Sequence, residues 1–595
     1  MKKKILFHSN SSRALTGFGK NARNILSYLY LTGKYEIVEI SNGIQENDPK
    51  LKLMPWKTVG GIPSDPDSIQ KIKTDSNFKA KALYGGLRIK DIIKEEKPDI
   101  YIGSEDIWAF SDWWNTRWWR QINTILWTTI DSVPILPAAI EGYENSDHFF
   151  TWSKFAAKEM VNSGCKQVDY LHGPVDCESF YKLHDKQKES IRESFNISSD
   201  TFIIGFVFRN QLRKTVPNLL DGFKKFKEST GVDAKLLLHT NWQEGWDIPK
   251  LLKEKSIQNK DVLTTYYCKS CRKYEIKPFA SDNKEKGEKL TCPYCFSKKS
   301  QNTISIETGL SEEQLNEIYN IMDVYCHAFT SGGQEIPIQE AKLCGLITLV
   351  TDYSCGEDCS KKDSGGLPLK WNEYREPGTQ FIKASTCPDS IYTNLLKVYS
   401  MPEEEKLSMS NTAIDFVKSN YSVEKTCKKL MSVIDNCPKV KWDFDFKSLT
   451  PDLSYEMPTK CGDKEFILSI YENMLKMKIS EKNKTKPISF YGETKLLAEK
   501  YIIKKFQNSS TKYCIGRIFS TTNKEQKMNY LVPDLKNRIR KSKDYIILKN
   551  LNHYRDFISM YDISKIIFNL MKINFNGIVN IATGNKILLK NIAKI

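Results

Sequence analysis

The chain has 595 residues, of which 40% are hydrophobic and 11% aromatic, and this composition excludes a fully disordered protein. At roughly 150 residues per domain, the length predicts about four domains whose cores need no disulfide bonds. Lysine and arginine outnumber aspartate and glutamate by 89 to 72, for a net charge of +17. Nucleic acid, an anionic membrane or phosphorylated ligands would suit this charge, but we favour a solvated lysine-rich surface.

The beginning of the chain and its cysteines bear on the compartment. The first residues, MKKKILF, are typical of a strand and not of a signal peptide. No apolar run reaches the roughly 18 residues that span a bilayer. The 15 cysteines are odd in number and mostly scattered singly, as in a reducing compartment. We therefore expect a cytoplasmic protein and leave peripheral contact with a membrane open.

The first 190 residues alternate between short apolar runs and helical patterns. An apolar run at 3–8 is followed by a loop with Gly17 and Gly19 and by a helical pattern from Asn21. Strand, glycine loop and helix are the opening of a Rossmann-like βαβ unit. Further strands are predicted at 36–40, 99–103, 124–130, 148–152 and 168–171. This alternation predicts a parallel sheet with helices on both faces.

The same pattern restarts near residue 201. Strands are predicted at 201–208, 234–239, 323–327 and 346–351, and helices at 218–226, 312–320 and 336–345. The predicted fold class is therefore α/β, with Rossmann-like domains at 1–190 and 191–440. Residues 441–484 are polar and irregular apart from one helical stretch and are predicted as a linker, and 485–595 form a last α/β segment.

Four cysteines have the most informative spacing in the chain. Cys268 and Cys271 are followed, after twenty residues, by Cys292 and Cys295. Two CxxC pairs at this separation are typical of four thiolates around one tetrahedral Zn²⁺. The lysine-rich residues between the pairs have little to bury, so a metal would supply the ordering free energy. We predict a structural zinc ribbon at 262–300 without a catalytic water; the alternative is a ribbon that has lost its metal.

Six segments of the first 440 residues together point to one family. In chain order they are 16–20 (TGFGK), 127–134 (WTTIDSVP), 151–156 (TWSKFA), 172–176 (HGPVD), 208–214 (FRNQLRK) and 331–345 (SGGQEIPIQEAKLCG). With them the chain resembles the family 4 glycosyltransferases, whose GT-B architecture is two Rossmann-like domains facing a cleft. The resemblance implies transfer of a sugar from a nucleotide-sugar donor to a hydroxyl of a glycan, lipid or protein, with retention and without a catalytic metal.

The donor side of such a cleft has recognisable candidates. Arg209 and Lys214 follow a predicted strand, where α/β sheets bind ligands, and two fixed cations suit the charge on a leaving diphosphate. Gly332 and Gly333 precede a helix, whose amides and dipole can face the phosphates. The resemblance gives Glu340 the ribose diol. Each of these residues also has a purely structural interpretation, as a surface charge or a turn residue.

The remaining candidates come from the first domain and from a departure. Gly17 and Gly19 permit close approach of the backbone to the donor. Asp131 is expected near the acceptor, and His172 is expected to orient a phosphate or to hold a loop. The family's acidic motif has two glutamates separated by seven residues, but its first position falls on a glycine here. Glu335, three residues later, is therefore our candidate for the sugar contact.

The tryptophan-rich stretch 108–127 has three open interpretations. Its rings can stack on an acceptor sugar, belong to the core, or form a membrane-surface patch.

Residues 485–595 resemble a second family, the carboxyl half of extended short-chain dehydrogenases, which includes sugar-nucleotide epimerases and dehydratases. Tyr491 and Lys495 fit its YxxxK motif, and later landmarks follow in order at Arg517, 555–558 (RDFI) and 580–584 (NIATG). The resemblance implies that Tyr491 transfers a proton and that Lys495 lowers its pKa and holds the nicotinamide ribose. No GxxGxxG loop precedes the pair in this segment, so NAD has no seat without a partner chain. We expect a fused remnant or a substrate-binding half.

The sequence thus predicts a nucleotide-sugar-dependent glycosyltransferase of the hexosyltransferase type. The alternative is an epimerase, dehydratase or reductase activity of the last segment, against which the missing glycine loop counts. A zinc-ribbon nucleic-acid binder is the third hypothesis. The position of the ribbon inside a Rossmann-like domain counts against it, so we expect no nucleic-acid partner.

Overall fold

The computed structural model describes residues 2–110, 113–116, 118–279, 291–298, 301–305, 309–442, 490–522, 526, 530–541, 554–585 and 587–589. Contacts divide the chain into two units, Met1–Phe446 and Lys447–Ile595. No helix in these described ranges is long and apolar enough to cross a membrane.

The first sheet has seven parallel strands in the order β3-β2-β1-β4-β5-β6-β7. The strands are β1 Lys3–Asn10, β2 Tyr35–Gln45, β3 Lys57–Ile62, β4 Ile100–Gly103, β5 Asn123–Thr128, β6 His148–Thr151 and β7 Asp169–Tyr170. The helices are α1 Gly17–Leu31, α2 Pro66–Thr74, α3 Ser76–Leu83, α4 Ile89–Glu96, α5 Pro137–Asn145 and α6 Lys154–Asn162. The central strands are buried apolar runs because helices cover both faces of the sheet. This order is that of a Rossmann fold, as predicted.

The second sheet runs β11-β10-β9-β8-β13-β14-β15, and β12 pairs with β10. The strands are β8 Phe202–Val207, β9 Ala234–His239, β10 Val262–Cys268, β11 Tyr274–Pro278, β12 Gln301–Thr303, β13 Val324–His327, β14 Thr348–Thr351 and β15 Gly366–Leu369. The helices are α7 Asp185–Ser194, α8 Val216–Thr230, α9 Ile248–Glu254, α10 Glu312–Asn320, α11 Ile336–Leu343, α12 Pro388–Tyr399, α13 Glu403–Tyr421 and α14 Val423–Asn436. After β15 the chain forms an antiparallel hairpin of two strands, β16 Trp371–Arg375 and β17 Ile382–Thr386.

The last helix of the first unit returns to the first domain. Cys427, Leu430 and Ile434 of α14 are buried in one cluster with Ile25 and Leu26 of α1. The chain therefore crosses between the two domains twice, and the backbone amide of Val175 on the first crossing donates to Tyr421 O on the second, at 2.8 Å. The two Rossmann-like domains of the sequence prediction are confirmed.

The second unit contains smaller elements. Its helices are Phe490–Phe506, Leu531–Lys541 and Met560–Lys572. Its described strands pair two by two, as Cys514–Ile518 with Gly577–Ile581, Ser520–Thr522 with Phe557–Ser559, and Tyr554–Arg555 with Ile587–Leu588. The predicted linker helix within 441–484 lies outside the described residues.

Candidate functional site

A cavity of about 930 Å³ lies between the two domains of the first unit. Part of its lining lies at or within two residues of the carboxyl ends of strands in both sheets, at Asn10, Glu105, Thr129, Arg209 and Thr240. In open α/β sheets this edge is where ligands bind. The cleft is therefore the candidate site, and it gathers most of the residues that the sequence singles out.

The loop after β8 carries the positive charges of this cleft. Asn210 is buried and anchors the loop, since its Nδ2 donates to the backbone oxygens of Glu244 and of Trp246, the latter at 2.9 Å. Arg209 is half exposed and its Nε lies 3.2 Å from Glu244 Oε2. Lys214 is buried and lines the cavity. Both predicted donor cations therefore line the same cavity, Arg209 as a half-exposed side chain and Lys214 as a buried one.

Glu335 is the partner of the cations at the end of this loop. Its carboxylate accepts from Arg213 Nη1 and from Lys214 Nζ, and it lies 3.3 Å from His327 Nε2. Although burial opposes its ionisation, Arg213 and Lys214 hold the pKa of Glu335 well below its usual range. Burial, reinforced by Arg213, lowers the pKa of Lys214 to about 8 against the pull of Glu335. Arg213 belongs to the 208–214 motif but was not among the predicted site residues.

Position 332 has no room for a side chain, because the side chain of Glu335 fills the space beside it. A Cβ at position 332 would lie 2.5 Å from Glu335 Oε1 and 3.3 Å from Arg213 Nη1. The carboxylate of Glu335 therefore stands where a side chain of residue 332 would begin. A different contact excludes a side chain at Gly333, because a Cβ there would collide with Thr129 of the first domain.

Glu340 is held from both domains. Its Oε1 accepts from Lys20 Nζ on α1 at 2.8 Å, and its Oε2 accepts from Tyr319 OH on α10 at 2.8 Å. Glu340 is buried but lines the cavity together with Lys20. A ligand hydroxyl that approaches this carboxylate would share it with Lys20 or displace the lysine.

The two glycines of the first loop differ in position. Gly17 lines the cavity, and a Cβ there would meet only Ile336 Cδ1, at 3.6 Å. Gly19 does not line it; a Cβ there would lie 2.8 Å from Ser11 O, so this glycine lets its own loop pack tightly. Thr16 caps α1 by accepting from the amide of Gly19 at 3.1 Å.

Asp131 joins the two domains at the floor of the cleft. Its Oδ2 accepts from Ser331 Oγ at 3.2 Å and lies 3.7 Å from Lys383 Nζ, and its backbone oxygen accepts from Ser354 Oγ at 2.7 Å. The carboxylate still lines the cavity. Asp131 therefore comes from the first domain and lies near Arg213, whose pKa it helps to raise.

Two further acids, Glu105 and Asp106, also come from the first domain and were not predicted as site residues. Both line the cavity, and Asp106 accepts from Thr129 Oγ1. Burial, reinforced by Asp106, raises the pKa of Glu105 to about 8. Burial also raises the pKa of Asp106, with Asp131 acting in the same direction. Two adjacent acids directly after the apolar strand β4 were the available signal.

His172 lies outside the cavity lining. It is buried, its Nδ1 is 2.9 Å from Trp152 O, and its ring stacks on Tyr421 at 4.2 Å between centroids. The neighbouring Gly173 does reach the donor loop, because its amide donates to Gln334 Oε1 at 2.7 Å. The histidine thus packs at the domain crossing.

The tryptophan-rich stretch is mainly core. Trp113, Trp114, Trp118, Trp119 and Trp127 are buried. Trp108 is 48% exposed and meets Tyr84 edge to face, with ring centroids 4.7 Å apart. Tyr84 lines the cavity beside the acids.

The four predicted metal ligands come together at the end of β10. The Sγ atoms of Cys268, Cys271, Cys292 and Cys295 all lie within 4.8 Å of one another. A tetrahedral Zn²⁺ with Zn–S bonds of about 2.3 Å needs S–S separations of about 3.8 Å. The Cys268–Cys295 and Cys271–Cys292 separations are 3.7 and 3.6 Å. The cluster therefore fits a metal. Cys268 is the last residue of β10, and β10 pairs with β9, so the cluster is attached directly to the second sheet.

The predicted dehydrogenase pair lies on one helix of the second unit. Tyr491 and Lys495 are both in Phe490–Phe506, one turn apart; the side chain of Tyr491 is outside the described part, and that of Lys495 is exposed. Two later landmarks meet, since Asp556 accepts from the amides of Thr583 and Gly584 at 3.0 and 2.7 Å.

Comparison with solved structures confirms the GT-B fold of the first unit. Sucrose-phosphate synthase from Thermosynechococcus elongatus has a TM-score of 0.51 at 13% identity, over 73% of this chain and 98% of its own. Anabaena HepE, solved in complex with UDP-glucose, has 0.50 at 10% identity, over 73% and 99%. An E. coli structure named for trehalose-6-phosphate and bound with UDP-2-fluoro glucose has 0.50 at 10%, over 74% and 100%. Such identities show the fold alone.

The last segment matches a family model. Residues 468–582 match the NAD dependent epimerase/dehydratase family, which confirms the second resemblance. A search of curated proteins gives no match.

Proposed function

We propose that the chain transfers a sugar from a nucleotide-sugar donor to a hydroxyl acceptor in the interdomain cleft. The observation that carries the proposal is the composition of the two cleft walls. Arg209, Arg213 and Lys214 lie on the second-domain wall, and Glu105 and Asp131 lie on the first-domain wall. The UDP and sugar groups bound to structures of this fold support a nucleotide sugar as the donor.

The donor is proposed to bind along the second domain. Its diphosphate carries two negative charges and would contact Arg209 and Arg213, since a guanidinium offers several N–H groups and can serve Glu335 and a phosphate together. Lys214 adds a buried positive charge behind them. The ribose hydroxyls would bond to Glu340, with Lys20 as a second partner of the same carboxylate.

The acceptor is proposed to approach from the acidic first-domain wall. Asp106 and Asp131 would accept hydrogen bonds from sugar hydroxyls, whereas Glu105, which keeps its proton at neutral pH, would donate one. Its hydroxyl oxygen bonds to the anomeric carbon as the bond from that carbon to the phosphate oxygen breaks, and the proton leaves with the diphosphate. Fixed cations stabilise the charge on that oxygen. Retention rests on the family resemblance, and proton NMR of the product's anomeric centre tests it.

The experiment for this proposal is a screen of nucleotide sugars for hydrolysis and for thermal stabilisation. Arg209→Ala and Glu340→Ala are the site variants. We expect at least one donor to be hydrolysed by the wild type, and each variant to lose about tenfold or more in kcat/KM. The proposal is wrong if no nucleotide sugar binds, or if neither variant changes binding.

The role proposed for Glu335 has its own test. Gly332→Glu alone should lose donor turnover, because its Cβ would meet Glu335 Oε1 at 2.5 Å. The exchange Gly332→Glu with Glu335→Gly removes that collision and returns a carboxylate to the same space. Recovery of turnover in the double variant supports a sugar contact by Glu335, whereas a double variant no better than the single ones contradicts it.

The cysteine cluster is proposed to hold one structural Zn²⁺. Four thiolates complete the coordination shell, so the ion supplies folding free energy and no bound water for catalysis. Metal analysis should give about one Zn²⁺ per chain, lost in Cys268→Ser; unchanged zinc in that variant would contradict the assignment.

A second candidate function rests on the family match of residues 468–582. In this proposal Tyr491 and Lys495 complete a redox site only with an NAD-binding half from another chain. Fluorescence titration with NADH should show no binding by this chain alone; saturable binding by this chain alone would contradict the need for a second half.

A further inference from the structure

The cysteine cluster is fastened to helix α10 by two side-chain hydrogen bonds. Gln314 Nε2 donates to the backbone oxygen of Arg272, the residue after Cys271, at 3.0 Å. Tyr274 OH on β11 donates to Glu317 Oε2 at 2.5 Å. Gln314 and Glu317 are three residues apart, so they lie on the same face of α10. One face of this helix is thus attached to the first cysteine pair and its strand.

Gln314 also determines where α10 begins. Its side-chain Oε1 accepts from the backbone amide of Ser311. Its backbone amide donates to Ser311 Oγ, and both distances are 3.2 Å. This reciprocal cap satisfies amides that a helix start leaves unpaired. The same side chain therefore links the capped start of α10 to the backbone beside Cys271.

The opposite side of α10 belongs to the cleft. Ser311, Glu312 and Leu315 line the cavity. Glu312 Oε1 pairs with Arg23 Nη2 of the first domain at 2.5 Å. Tyr319 OH, at the other end of the helix, donates to Glu340 Oε2 at 2.8 Å. Helix α10 therefore contacts both the opposite wall and the carboxylate proposed for the ribose.

The second cysteine pair has almost no packing to hold it in place. Among 291–298, only Cys292 is buried, and Phe296 is 76% exposed. Both pairs nevertheless adopt the same turn: the residue after each pair has a positive φ, 60° at Arg272 and 57° at Phe296. The backbone amide of each of these residues donates to the backbone oxygen of the first cysteine of its pair, at 2.9 Å. Ser270 Oγ lies 3.1 Å from Ser297 Oγ, and Lys273 Nζ lies over the ring of Tyr294. These contacts between the two turns are exposed, so bonds from four thiolates to one cation would be the strongest link between them.

We infer that a Zn²⁺ ion at Cys268, Cys271, Cys292 and Cys295 positions α10, and that its occupancy sets how tightly the cleft binds a nucleoside diphosphate. Gln314 and Tyr274 are the positioning residues between metal and cleft. The effect on the diphosphate rests on the proposed function. The effect on α10 does not depend on it.

The experiment compares the full-length chain with three variants. Cys268→Ser removes a ligand, and Gln314→Ala removes the link but no ligand. Glu313→Ala is the matched control on the same helix, since Glu313 is exposed and outside the cavity lining. Zinc content is measured by mass spectrometry of the metal. Hydrogen exchange of the amides of α10, before and after chelation and with Zn²⁺ added back, reports on the helix, and calorimetric titration with UDP reports on the cleft.

For the wild type, chelation should raise exchange in α10 by about tenfold or more and weaken UDP binding by about tenfold, both reversed by Zn²⁺. Cys268→Ser should behave like the chelated protein. Gln314→Ala removes two side-chain hydrogen bonds, to Arg272 O and from the Ser311 amide. It should keep its zinc yet raise exchange in α10 and weaken UDP binding about fivefold or more, since each lost hydrogen bond contributes ~1 kcal/mol. Glu313→Ala should match the wild type.

Three results would overturn the inference: no zinc in the wild type, unchanged exchange in α10 after chelation, or a Gln314→Ala variant that is indistinguishable from Glu313→Ala. Because Gln314→Ala retains the metal, misfolding of Cys268→Ser does not decide the outcome. If the wild type binds no UDP while α10 responds to zinc as expected, the proposed function fails and the link from metal to helix stands.

Discussion

The two units of the chain differ most in the apolar surface that they bury. In Met1–Phe446 the largest cluster of buried side chains contains whole strands, with Ile203, Leu237 and Val324 at 0% exposure. In the described part of Lys447–Ile595, the buried cluster consists of Ile558, Ile563 and Ile581. Burial of apolar surface contributes about 25 cal/mol per Å², so the first unit has much more to stabilise it.

The described part of the second unit also leaves many large apolar side chains exposed to solvent. Several large apolar side chains are mostly exposed there: Leu497 at 64%, Tyr501 at 66%, Phe568 at 58%, Met571 at 70% and Ile573 at 68%. A cleft with cations and carboxylates on fixed strand ends needs a rigid core behind it. The proposed transferase chemistry therefore belongs to the first unit.

The largest effect is expected when the chain is divided after residue 446. The 1–446 fragment should unfold cooperatively within about 2 °C of the first unit's transition in the whole chain, because the contacts of each unit are mostly internal. The 447–595 fragment should give no cooperative transition. Circular dichroism on heating measures both, and a 1–446 fragment without a cooperative transition would contradict the division.

Matched truncations of buried side chains should then separate the units by several kcal/mol. Leu237→Ala in β9 is expected to cost the first unit about 2–5 kcal/mol of unfolding free energy, since its site is closely packed. Ile581→Ala, in the small cluster of the second unit, should leave the first unit's transition unchanged. Urea unfolding followed by tryptophan fluorescence measures both variants. An equal shift of that transition by the two variants would show that the units unfold together.

The sequence predicted the fold class well because its signals are local. Buried parallel strands such as 202–207 and 234–239 are continuous apolar runs, which chain patterning reveals directly. The cysteine cluster was equally predictable, since CxxC spacing alone places thiolates together. The return of α14 to α1 was not predicted, because nothing local in an amphipathic helix says which partner its apolar face will meet.

The candidate site was predicted by residue but not by partner. Arg209, Lys214, Glu335 and Glu340 line one cavity, as expected from the motifs. The contact of Lys20 with Glu340 joins positions separated by 320 residues, which no spacing rule can reveal. His172 carried the right motif but its ring packs on Tyr421, since burial at the domain crossing decided its orientation.

A smaller effect, confined to the first unit, is expected from Glu105. Because its folded-state pKa of about 8 is above the ordinary 4.5, the folded protein keeps a proton that the unfolded chain releases. Stability from this group is therefore complete below pH 4.5 and declines as pH rises toward 8. Glu105→Gln should remove this decline and become relatively more stable at pH 8 than at pH 5. Urea unfolding at both pH values checks the sign; a parallel shift at both would contradict it.

The smallest effect is expected in the second unit, from Asp556→Ala. The substitution removes the acceptor for the amides of Thr583 and Gly584 and should cost about 1 kcal/mol locally. Faster hydrogen exchange of these two amides, with unchanged UDP binding in the first unit, is the expected result. Weakened UDP binding would mean that the second unit contributes to the cleft.

Calorimetric titration with UDP tests the central claim most directly. The wild type should bind one UDP per chain, and Arg209→Ala and Glu340→Ala should each weaken binding by about tenfold or more, as expected for lost contacts with a charged group. Arg517→Ala, which removes an arginine paired with Glu499 in the second unit, is the matched control and should bind UDP like the wild type. Binding that is absent from the wild type, or equally strong in all four proteins, would contradict the assignment of the cleft.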